Sequence, residues 1–298
     1  MPNKIAVALA LPDTERCLAR LHALAPQIAL AEIRLDLMDS FDLPRLIAEA
    51  PCPLIITCRP PREGGKFQED EAERLEILAQ AIALGCAYVD IEWDSLEAFA
   101  TLASRSQGST RLIVSRHWLD CMPDDLMPFY QGFQKHADVV KLVGLAHHPA
   151  QMLPVFALLS RATTPVIGLA MGQAGQLTRL LAPCFPNCLL TYGAASAEGA
   201  TASGQISVSA MVEDYHLNQL GPETIVHLRL CASAASAEGV ITQNGNATAG
   251  QHLYIPLVVS PEQAAALLPG LRAILPHLIV TADPGLFPSG SPGLSSSG

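Results

Sequence analysis

Eight short apolar, β-branched runs recur along the chain, and helix-like segments separate them. Near-continuous apolar runs are typical of parallel strands that are buried on both faces, so each run predicts such a strand. The predicted strands are Lys4–Ala10, Ala31–Asp36, Pro53–Arg59, Tyr88–Trp93, Arg111–His117, Val139–Gly144, Pro165–Met171 and Leu189–Ala194. The main predicted helices are Glu69–Leu84, Asp94–Arg105, Asp124–His136, Pro149–Arg161, Ala174–Leu181 and Ile206–Gln219. Eight consecutive βα units with no G-x-G-x-x-G fingerprint predict an α/β fold, a (β/α)8 TIM barrel rather than a doubly wound sheet.

The composition changes after Gln219, which predicts a second part of the chain. Residues 220–298 contain no lysine and are rich in Ala, Ser, Gly and Pro. Within them, the predicted strands are Thr224–Leu230, His252–Val259 and His277–Thr281, and the predicted helix is Pro261–Ile274. We therefore predict a barrel domain over 1–219, a small C-terminal α/β appendage over 220–283, and a flexible tail over 284–298.

Charge and cysteine spacing exclude several classes of function. A net charge of −10 with only 18 Lys and Arg residues leaves no basic surface for nucleic acid, so we expect no nucleic-acid partner. No C-x-x-C pair occurs, so neither a metal site nor a disulfide framework is indicated. No apolar run reaches the ~18 residues that span a bilayer, and the run after Lys4 fits a first strand better than a secretion signal. We expect a cytoplasmic protein without a membrane partner.

Charged and polar side chains interrupt the apolar strands, and they carry the functional argument. They are Glu32, Arg34, Asp36, Arg59, Asp90, Glu92, Ser115, His117 and Lys141. Alternation puts residues two apart on the same face of a strand. Because burial of an unpaired charge is costly, and because barrel active sites lie at the carboxyl ends of the strands, this set predicts an active site in the lumen. For Asp36 and Asp90 we favour a structural role in internal ion pairs.

Lys141 is one of only four lysines and lies within the apolar run VVKLVG. Burial disfavours the ammonium form of a lysine and makes a nucleophilic amine available, whose natural electrophile is a ketone or an aldehyde. His117, on the preceding strand, would move protons next to the resulting imine, and Glu92 would orient the histidine. These residues predict a Schiff-base lyase or aldolase that acts on a small oxygenated keto compound and needs no metal or organic cofactor.

Seven sequence blocks, taken in order, resemble those of the type I 3-dehydroquinate dehydratases. The blocks are EIRLD, ITCRPPREGG, VDIEW, VSRH, VVKLVG, GLAMGQAGQLTRLLAPCF and TYGAASAEGATASGQISV. The resemblance runs from Lys4 to about Met211. It implies a lyase that converts 3-dehydroquinate to 3-dehydroshikimate and water through a lysine Schiff base, in the shikimate pathway of aromatic amino acid biosynthesis.

The resemblance also implies roles for individual residues. Lys141 would form the imine with the C3 ketone, His117 would take the C2 proton and pass a proton to the departing C1 hydroxyl, and Glu92 would tune His117. Arg179, helped by Gln205, would bind the substrate carboxylate, since a guanidinium suits that anion. The remaining substrate-binding residues would be Glu32, Arg34, Arg59, Met171, Tyr192 and Thr201.

The chain departs from the family's pattern at two positions. Ser203 stands where the family has proline, within the stretch Tyr192–Gln205 that would form a mobile lid over the substrate. Arg116 replaces a commonly aromatic neighbour of the histidine. Both departures bear on the rate rather than on the type of reaction.

The C-terminal part resembles the opening strands of shikimate dehydrogenase, which follows the dehydratase in bifunctional relatives. The similar stretches are MVEDYHLNQLGPETIVHL, HLYIPLVV and HLIVTADP. Where the dehydrogenase has a V-T-x-P-x-K motif with its catalytic lysine, this chain has VTADP and no lysine after it. We expect a truncated remnant without shikimate dehydrogenase activity.

Two alternatives stay open on the sequence alone. One is another class I aldolase-type Schiff-base lyase, although the combination of Arg179 with the Gly204-Gln205 pair of the lid favours the dehydratase. The other is a non-catalytic interaction protein, which the decayed C-terminal part suggests, although all the expected reactive groups are present. The expected partner is the small-molecule substrate 3-dehydroquinate, and a homodimer is compatible with the sequence.

Overall fold

The computed structural model describes residues 3–103, 109–196, 204–246, 251–284 and 286. Eight parallel strands form one sheet in the order β7-β6-β5-β4-β3-β2-β1-β8. They are β1 (Ile5–Leu9), β2 (Leu30–Arg34), β3 (Leu54–Thr57), β4 (Tyr88–Glu92), β5 (Arg111–Trp118), β6 (Val139–Leu145), β7 (Val166–Met171) and β8 (Thr191–Gly193). Between the two ends of this order, the backbone of Val166 bonds to Asn187 and Leu189, just before β8. The sheet therefore closes into a barrel, and the eight predicted strands are confirmed.

Helices cover the outside of the barrel, as the alternation of strands and helices predicts. They are α1 (Thr14–Leu24), α2 (Leu43–Glu49), α3 (Glu71–Ala83), α4 (Leu96–Ala103), α5 (Met127–Phe133), α6 (Leu153–Arg161), α7 (Gln176–Leu181) and α8 (Val208–Glu213). Asp13, Asp42 and Ser207 each accept a hydrogen bond from the backbone N–H three residues later, so these side chains cap the first turns of α1, α2 and α8. A large apolar core lies between the strands and these helices.

The inner face of the barrel is apolar toward the amino ends of the strands and polar toward their carboxyl ends. On β5, Ile113 is followed on the same face by Ser115 and His117, and on β6 Val139 is followed by Lys141. The apolar cluster inside the lumen contains Ala6, Leu30, Ile55, Tyr88, Ile113, Val139 and Ile167, among others. This cluster forms a floor, and the charged side chains lie above it at the end where barrel enzymes bind their substrates.

A second, three-stranded parallel sheet follows the barrel, in the order β10-β9-β11. Its elements are β9 (Ile225–Cys231), α9 (Ala234–Ile241), β10 (His252–Val258), α10 (Pro261–Ile274) and β11 (Leu278–Ala282). The strands and α10 agree with the predicted elements, whereas α9 was not predicted. Helix α10 packs on α6 of the barrel, and a Cβ added to Gly270 would lie 2.6 Å from a methyl group of Leu153. The appended sheet is thus attached to the barrel through a helix pair.

The predicted division at residues 219 and 220 stays a prediction. The predicted tail, 284–298, lies outside the described residues except for Pro284 and Leu286. In the described ranges, no helix is long and apolar enough to cross a membrane.

Candidate active site

Lys141 lies on the inner face of β6, and its side chain is only 5% exposed. Its Nζ donates hydrogen bonds to Glu32 Oε2 at 3.0 Å, to Asp90 Oδ2 at 2.8 Å and to the Tyr192 hydroxyl at 3.3 Å. Burial works against the charge of Asp90, but Arg59 and Lys141 outweigh it and hold the pKa of Asp90 below its usual range. The amine therefore lies between two carboxylates that orient it in the lumen, and Asp90 is suited to be a charged partner rather than a base.

Arg59 connects the carboxylates of the lumen. Its guanidinium lies 2.6 Å from Glu92 Oε1, 2.8 Å from Ser115 Oγ and 2.9 Å from Asp90 Oδ1. Burial opposes the charge of Arg59, but Asp90 and Glu92 outweigh burial and raise its pKa. Glu92 also lies 2.8 Å from Arg74. Glu92 is thus held between two arginines.

His117 contacts Glu63 rather than the expected Glu92. Its Nδ1 lies 2.9 Å from Glu63 Oε2, and its backbone N–H donates to the same oxygen at 3.1 Å. While Glu63 is ionised it only accepts hydrogen bonds, so Nδ1 then carries the proton and Nε2 keeps its lone pair. Burial, followed by the charges of Arg59 and Lys141, holds the pKa of His117 well below its usual range. The result is a neutral imidazole oriented by a carboxylate, which is suited to act as a general base.

Glu63 is the residue of the site that the sequence prediction missed. It ends a short 3₁₀ helix, Pro61–Glu63, that follows β3, where no strand or helix periodicity applies. Its side chain is 2% exposed, and burial raises the pKa of Glu63 to about 7 although Arg59 acts in the opposite direction. Its position inside ITCRPPREGG, one of the blocks that carry the family resemblance, is the signal that could have identified it.

Asp36 holds the turn that carries Glu63. Its two oxygens accept hydrogen bonds from the Arg34 guanidinium, both at 2.8 Å, and also from the backbone N–H groups of Arg59 and Lys66, both at 3.1 Å. Burial disfavours the charge of Asp36, but these bonds outweigh it and lower its pKa. The internal ion pair expected for Asp36 is therefore present, and it fixes both ends of the segment around Glu63.

Arg179, on α7, is a buried cation without a matching anion. It is 2% exposed, and its guanidinium donates to the carbonyl oxygen of Tyr192 at 3.5 Å. In the part of the chain that the structure describes, its Nε has no hydrogen-bond partner. Burial lowers the pKa of Arg179 to about 10, and no carboxylate among the described residues opposes this. A guanidinium in this state is prepared to bind an anion.

These side chains surround a cavity of about 140 Å³ at the carboxyl end of the barrel. The predicted site residues that line it are Glu32, Arg34, Arg59, His117, Lys141, Met171, Arg179, Tyr192 and Gln205, and Glu63 lines it as well. Glu92 is fully buried and is not part of the lining. Thr201 and Ser203 lie outside the described residues. Across the described ranges, no group of three or more His, Cys, Asp or Glu side chains is placed to hold a metal ion.

Two glycines bring Gln205 to the mouth of this cavity. Gly172 and Gly204 have positive φ angles of 84° and 77°, a backbone conformation that favours glycine. A Cβ added to Gly204 would lie 2.4 Å from the carbonyl oxygen of Gly172, so the two backbones touch. Residues 197–203, the centre of the predicted lid, lie outside the described residues.

Comparison with known families identifies the barrel. The family model described as type I 3-dehydroquinase matches residues 5–222. The 3-dehydroquinate dehydratase of Desulfotalea psychrophila is 34% identical over 221 residues, which cover 70% of this chain and 95% of that protein. The chloroplastic bifunctional 3-dehydroquinate dehydratase/shikimate dehydrogenase of Arabidopsis thaliana is 34% identical over 206 residues, which cover 66% of this chain. The match spans 34%, about a third, of the length of the Arabidopsis protein.

Solved structures show the same fold. The 3-dehydroquinate dehydratase of Geobacillus kaustophilus superposes with a TM-score of 0.60 and 22% identity, covering 71% of this chain and 89% of that one. The dehydroquinate dehydratase and shikimate dehydrogenase of S. pombe superposes with a TM-score of 0.62 and 20% identity, covering 96% of this chain and 57% of that one. The second likeness extends over the appended sheet as well as over the barrel.

Proposed function

The chain belongs to the type I 3-dehydroquinase family, and from this premise we propose that it removes water from 3-dehydroquinate to form 3-dehydroshikimate, a step of the shikimate pathway. One observation carries the proposal. The buried amine of Lys141 shares a cavity with His117, a histidine oriented by a carboxylate, and with Arg179, a cation that lacks an anion. Imine formation, proton transfer and carboxylate recognition each have a side chain suited to them.

Imine formation begins at Lys141. Its Nζ lies 3.0 and 2.8 Å from oxygens of Glu32 and Asp90, which orient it, and the ammonium group must lose a proton to water before it reacts. The free amine attacks the C3 ketone, and the resulting carbinolamine loses water to form an iminium ion. The positive charge of the iminium then lies beside the same two carboxylates, which stabilise it, and it acidifies the protons on C2.

His117 performs the proton transfers that follow. Its Nε2 removes the C2 proton, and the C–H electrons form an enamine with the iminium carbon. The enamine electrons then expel the C1 hydroxyl, which leaves as water after it receives the proton from His117. Glu63 stabilises the imidazolium between these two transfers, because its Oε2 accepts a hydrogen bond from the Nδ1–H group. Water finally hydrolyses the imine, releases the product and restores Lys141.

Substrate binding relies on the cationic side of the cavity. We assign the substrate carboxylate to Arg179 with Gln205, and the ring to Met171 and Tyr192, all of which line the cavity. Glu32 and Arg34 face the ring hydroxyls, and Thr201 would add a hydroxyl from the lid.

Arg59 and Glu92 act more indirectly than the resemblance implies. The donors of Arg59 already bind Asp90, Glu92 and Ser115, so Arg59 holds the carboxylates in place beneath the ring. Glu92 reaches the histidine only through Arg59, whose NH1 lies 3.9 Å from Glu63 Oε2. Both residues therefore set the charge around the reacting groups.

Borohydride trapping tests this proposal. Incubation of the full chain with 3-dehydroquinate and borohydride reduces the iminium to a stable amine, and peptide mass spectrometry locates it. We expect the added mass on Lys141, no added mass in Lys141→Ala, and normal trapping in Lys135→Ala, which removes a lysine outside the cavity. Trapping with a sugar phosphate but not with 3-dehydroquinate would favour a class I aldolase, and trapping of neither would favour a non-catalytic protein.

We also propose that the protein works in the cytoplasm as a homodimer without a nucleic-acid partner. The net charge of −10 supports the last point. For the dimer, the appended sheet offers two exposed apolar side chains on its opposite edge strands, Val258 at 49% and Ile279 at 43% exposure. Light scattering on the full chain tests the dimer, and a monomer at all concentrations would contradict it.

A further inference from the structure

The two oxygens of Glu63 have different surroundings. Oε2 accepts hydrogen bonds from the backbone N–H and the ring Nδ1 of His117, at 3.1 and 2.9 Å. Oε1 is buried, and no donor in the described part of the chain hydrogen-bonds to it. The cation nearest to this second oxygen is Arg116, whose NH1 lies 3.6 Å away. A carboxylate with one unsatisfied oxygen in a buried site depends on nearby positive charge to remain ionised.

Arg116 also lies near a second carboxylate. Its NH1 also lies 3.8 Å from Asp94 Oδ2, and Asp94 itself accepts hydrogen bonds from Nε and NH2 of Arg62, at 2.9 and 3.0 Å. Arg62 binds Asp94 at these shorter distances, so Arg116 lies between two carboxylates and contributes positive charge to both, 3.6 Å from Glu63 and 3.8 Å from Asp94. The Arg116 side chain is 37% exposed, so it can be replaced without opening the core.

Arg59 lowers the pKa of Glu63 more strongly than Arg116 does, but Arg116 is the cation next to the unsatisfied oxygen Oε1. Arg59 lies 3.9 Å from Glu63, but it is engaged at shorter distances by Asp90 and Glu92. Asp90 and Glu92 themselves act against the ionised form of Glu63. Lys141 and Arg34 act on His117, where they disfavour the imidazolium.

We propose that Arg116 is a positioning residue that keeps Glu63 ionised, and thereby keeps His117 in the tautomer that acts as a base. This inference rests on the proposed dehydratase function. It gives a role to the residue that replaces an aromatic neighbour of the histidine. The role is indirect, because Arg116 acts on the histidine through Glu63 and is not part of the cavity lining.

The pH dependence follows from the sign of the charge effect. Burial raises the pKa of Glu63 to about 7, and Arg59 and Arg116 counteract this rise. Loss of the Arg116 charge raises the pKa of Glu63 further, so the carboxylate takes up a proton at a higher pH. A protonated Glu63 no longer stabilises the imidazolium, so activity is lost at a higher pH than in the parent protein. Because Arg116 is 37% exposed and water screens its charge, we expect a displacement of about half a pH unit, or roughly threefold in rate on the acid side.

The test compares pH profiles of kcat/KM for 3-dehydroquinate in the full chain and in single variants. Arg116→Gln should move the acid limb upward by about half a pH unit and leave the rate on the alkaline plateau unchanged. Arg116→Lys should restore most of the original profile, because it returns the positive charge. Arg45→Gln is the matched control, since it removes one exposed arginine that pairs with Glu15 and Glu49 away from the cavity. An unmoved limb, an equal loss at every pH, or the same displacement in Arg45→Gln would overturn the inference.

A second measurement separates this inference from the proposed function. The ring resonances of His117, followed by NMR against pH without substrate, report the Glu63 titration directly. We expect that titration to move upward in Arg116→Gln and to return in Arg116→Lys. If the parent protein did not dehydrate 3-dehydroquinate, the proposed function would fail, yet this titration would still decide the role of Arg116. An unchanged titration would refute it.

Discussion

Replacement of Arg179 by methionine should separate binding from stability. Arg179 is 2% exposed, and no carboxylate among the described residues opposes the effect of burial, which lowers its pKa to about 10. A cation held in this way weakens the fold in the absence of a bound anion. Methionine has a similar length and fills the same space without a charge. We therefore expect Arg179→Met to fold well and to bind the substrate carboxylate poorly.

The magnitude follows from the pKa. The fall of the Arg179 pKa from its ordinary value to about 10 corresponds to roughly 3 kcal/mol that the charged form costs the folded state below that pH. Arg179→Met removes this cost and loses one weak hydrogen bond to the Tyr192 carbonyl. The free energy of unfolding should stay level or rise by up to ~3 kcal/mol, which means a Tm higher by several degrees. The KM for 3-dehydroquinate should rise much more than kcat falls.

Arg74→Met is the matched control, because Arg74 is equally buried but paired. Its guanidinium lies 2.8 Å from both Glu71 and Glu92. Arg74→Met therefore removes one of the two cations that pair with the buried Glu92, and it should lower the free energy of unfolding by about 3 to 5 kcal/mol. Urea unfolding of the parent and both variants, with and without 3-dehydroquinate, measures the contrast. If Arg179→Met lost as much stability as Arg74→Met, or were stabilised by the ligand as strongly as the parent protein, the reasoning would be refuted.

Three further outcomes are expected. His117→Ala should still form a trappable imine while turnover falls about 10²- to 10⁴-fold, and Lys141→Ala should form none; near-normal turnover in His117→Ala would exclude it as the base. In the parent protein, kcat/KM should fall as the pH drops through about 7, because Glu63 then takes up a proton. Glu63→Gln should abolish this pH dependence and most of the activity. If the acid limb of the pH profile persisted in Glu63→Gln, it would have to belong to another group. Truncation after Pro222, which keeps the buried Leu220, should retain dehydration activity. It should lower the free energy of unfolding, because α10 no longer covers α6. Loss of activity in a well-folded truncated protein would contradict an independent barrel.

The elements of the barrel could be predicted because their signal is local. A parallel strand buried on both faces must be apolar along most of its length, so eight such runs identify eight strands whatever lies next to them. Strand alternation also predicted which face Lys141 and His117 occupy, since every second residue points to the same side. The charges on those faces stood out because a lumen accepts them only in pairs or for function.

The partner of His117 was decided by the tertiary structure. Alternation places Glu92 on the lumen face, but it does not give its level along the barrel axis relative to residues on the neighbouring strands. In the structure Glu92 is aligned with Ser115 on β5, two residues below His117, and it pairs with Arg59 and Arg74 instead. Glu63 reaches the histidine from a 3₁₀ turn after β3, and the geometry of such a turn depends on the bonds that Asp36 makes to it.

The same limit applies to Arg179 and to the appended sheet. The sequence places Arg179 near the end of a helix after the seventh strand, but only the packing around it reveals a buried guanidinium without an anion. The apolar strands and helix after residue 220 predict a small α/β unit, yet the contact of α10 with α6 depends on the fit of Gly270 against Leu153. Periodicity along the chain determines which face a side chain occupies, whereas its partner depends on distances between segments far apart in sequence, which only the packed structure sets.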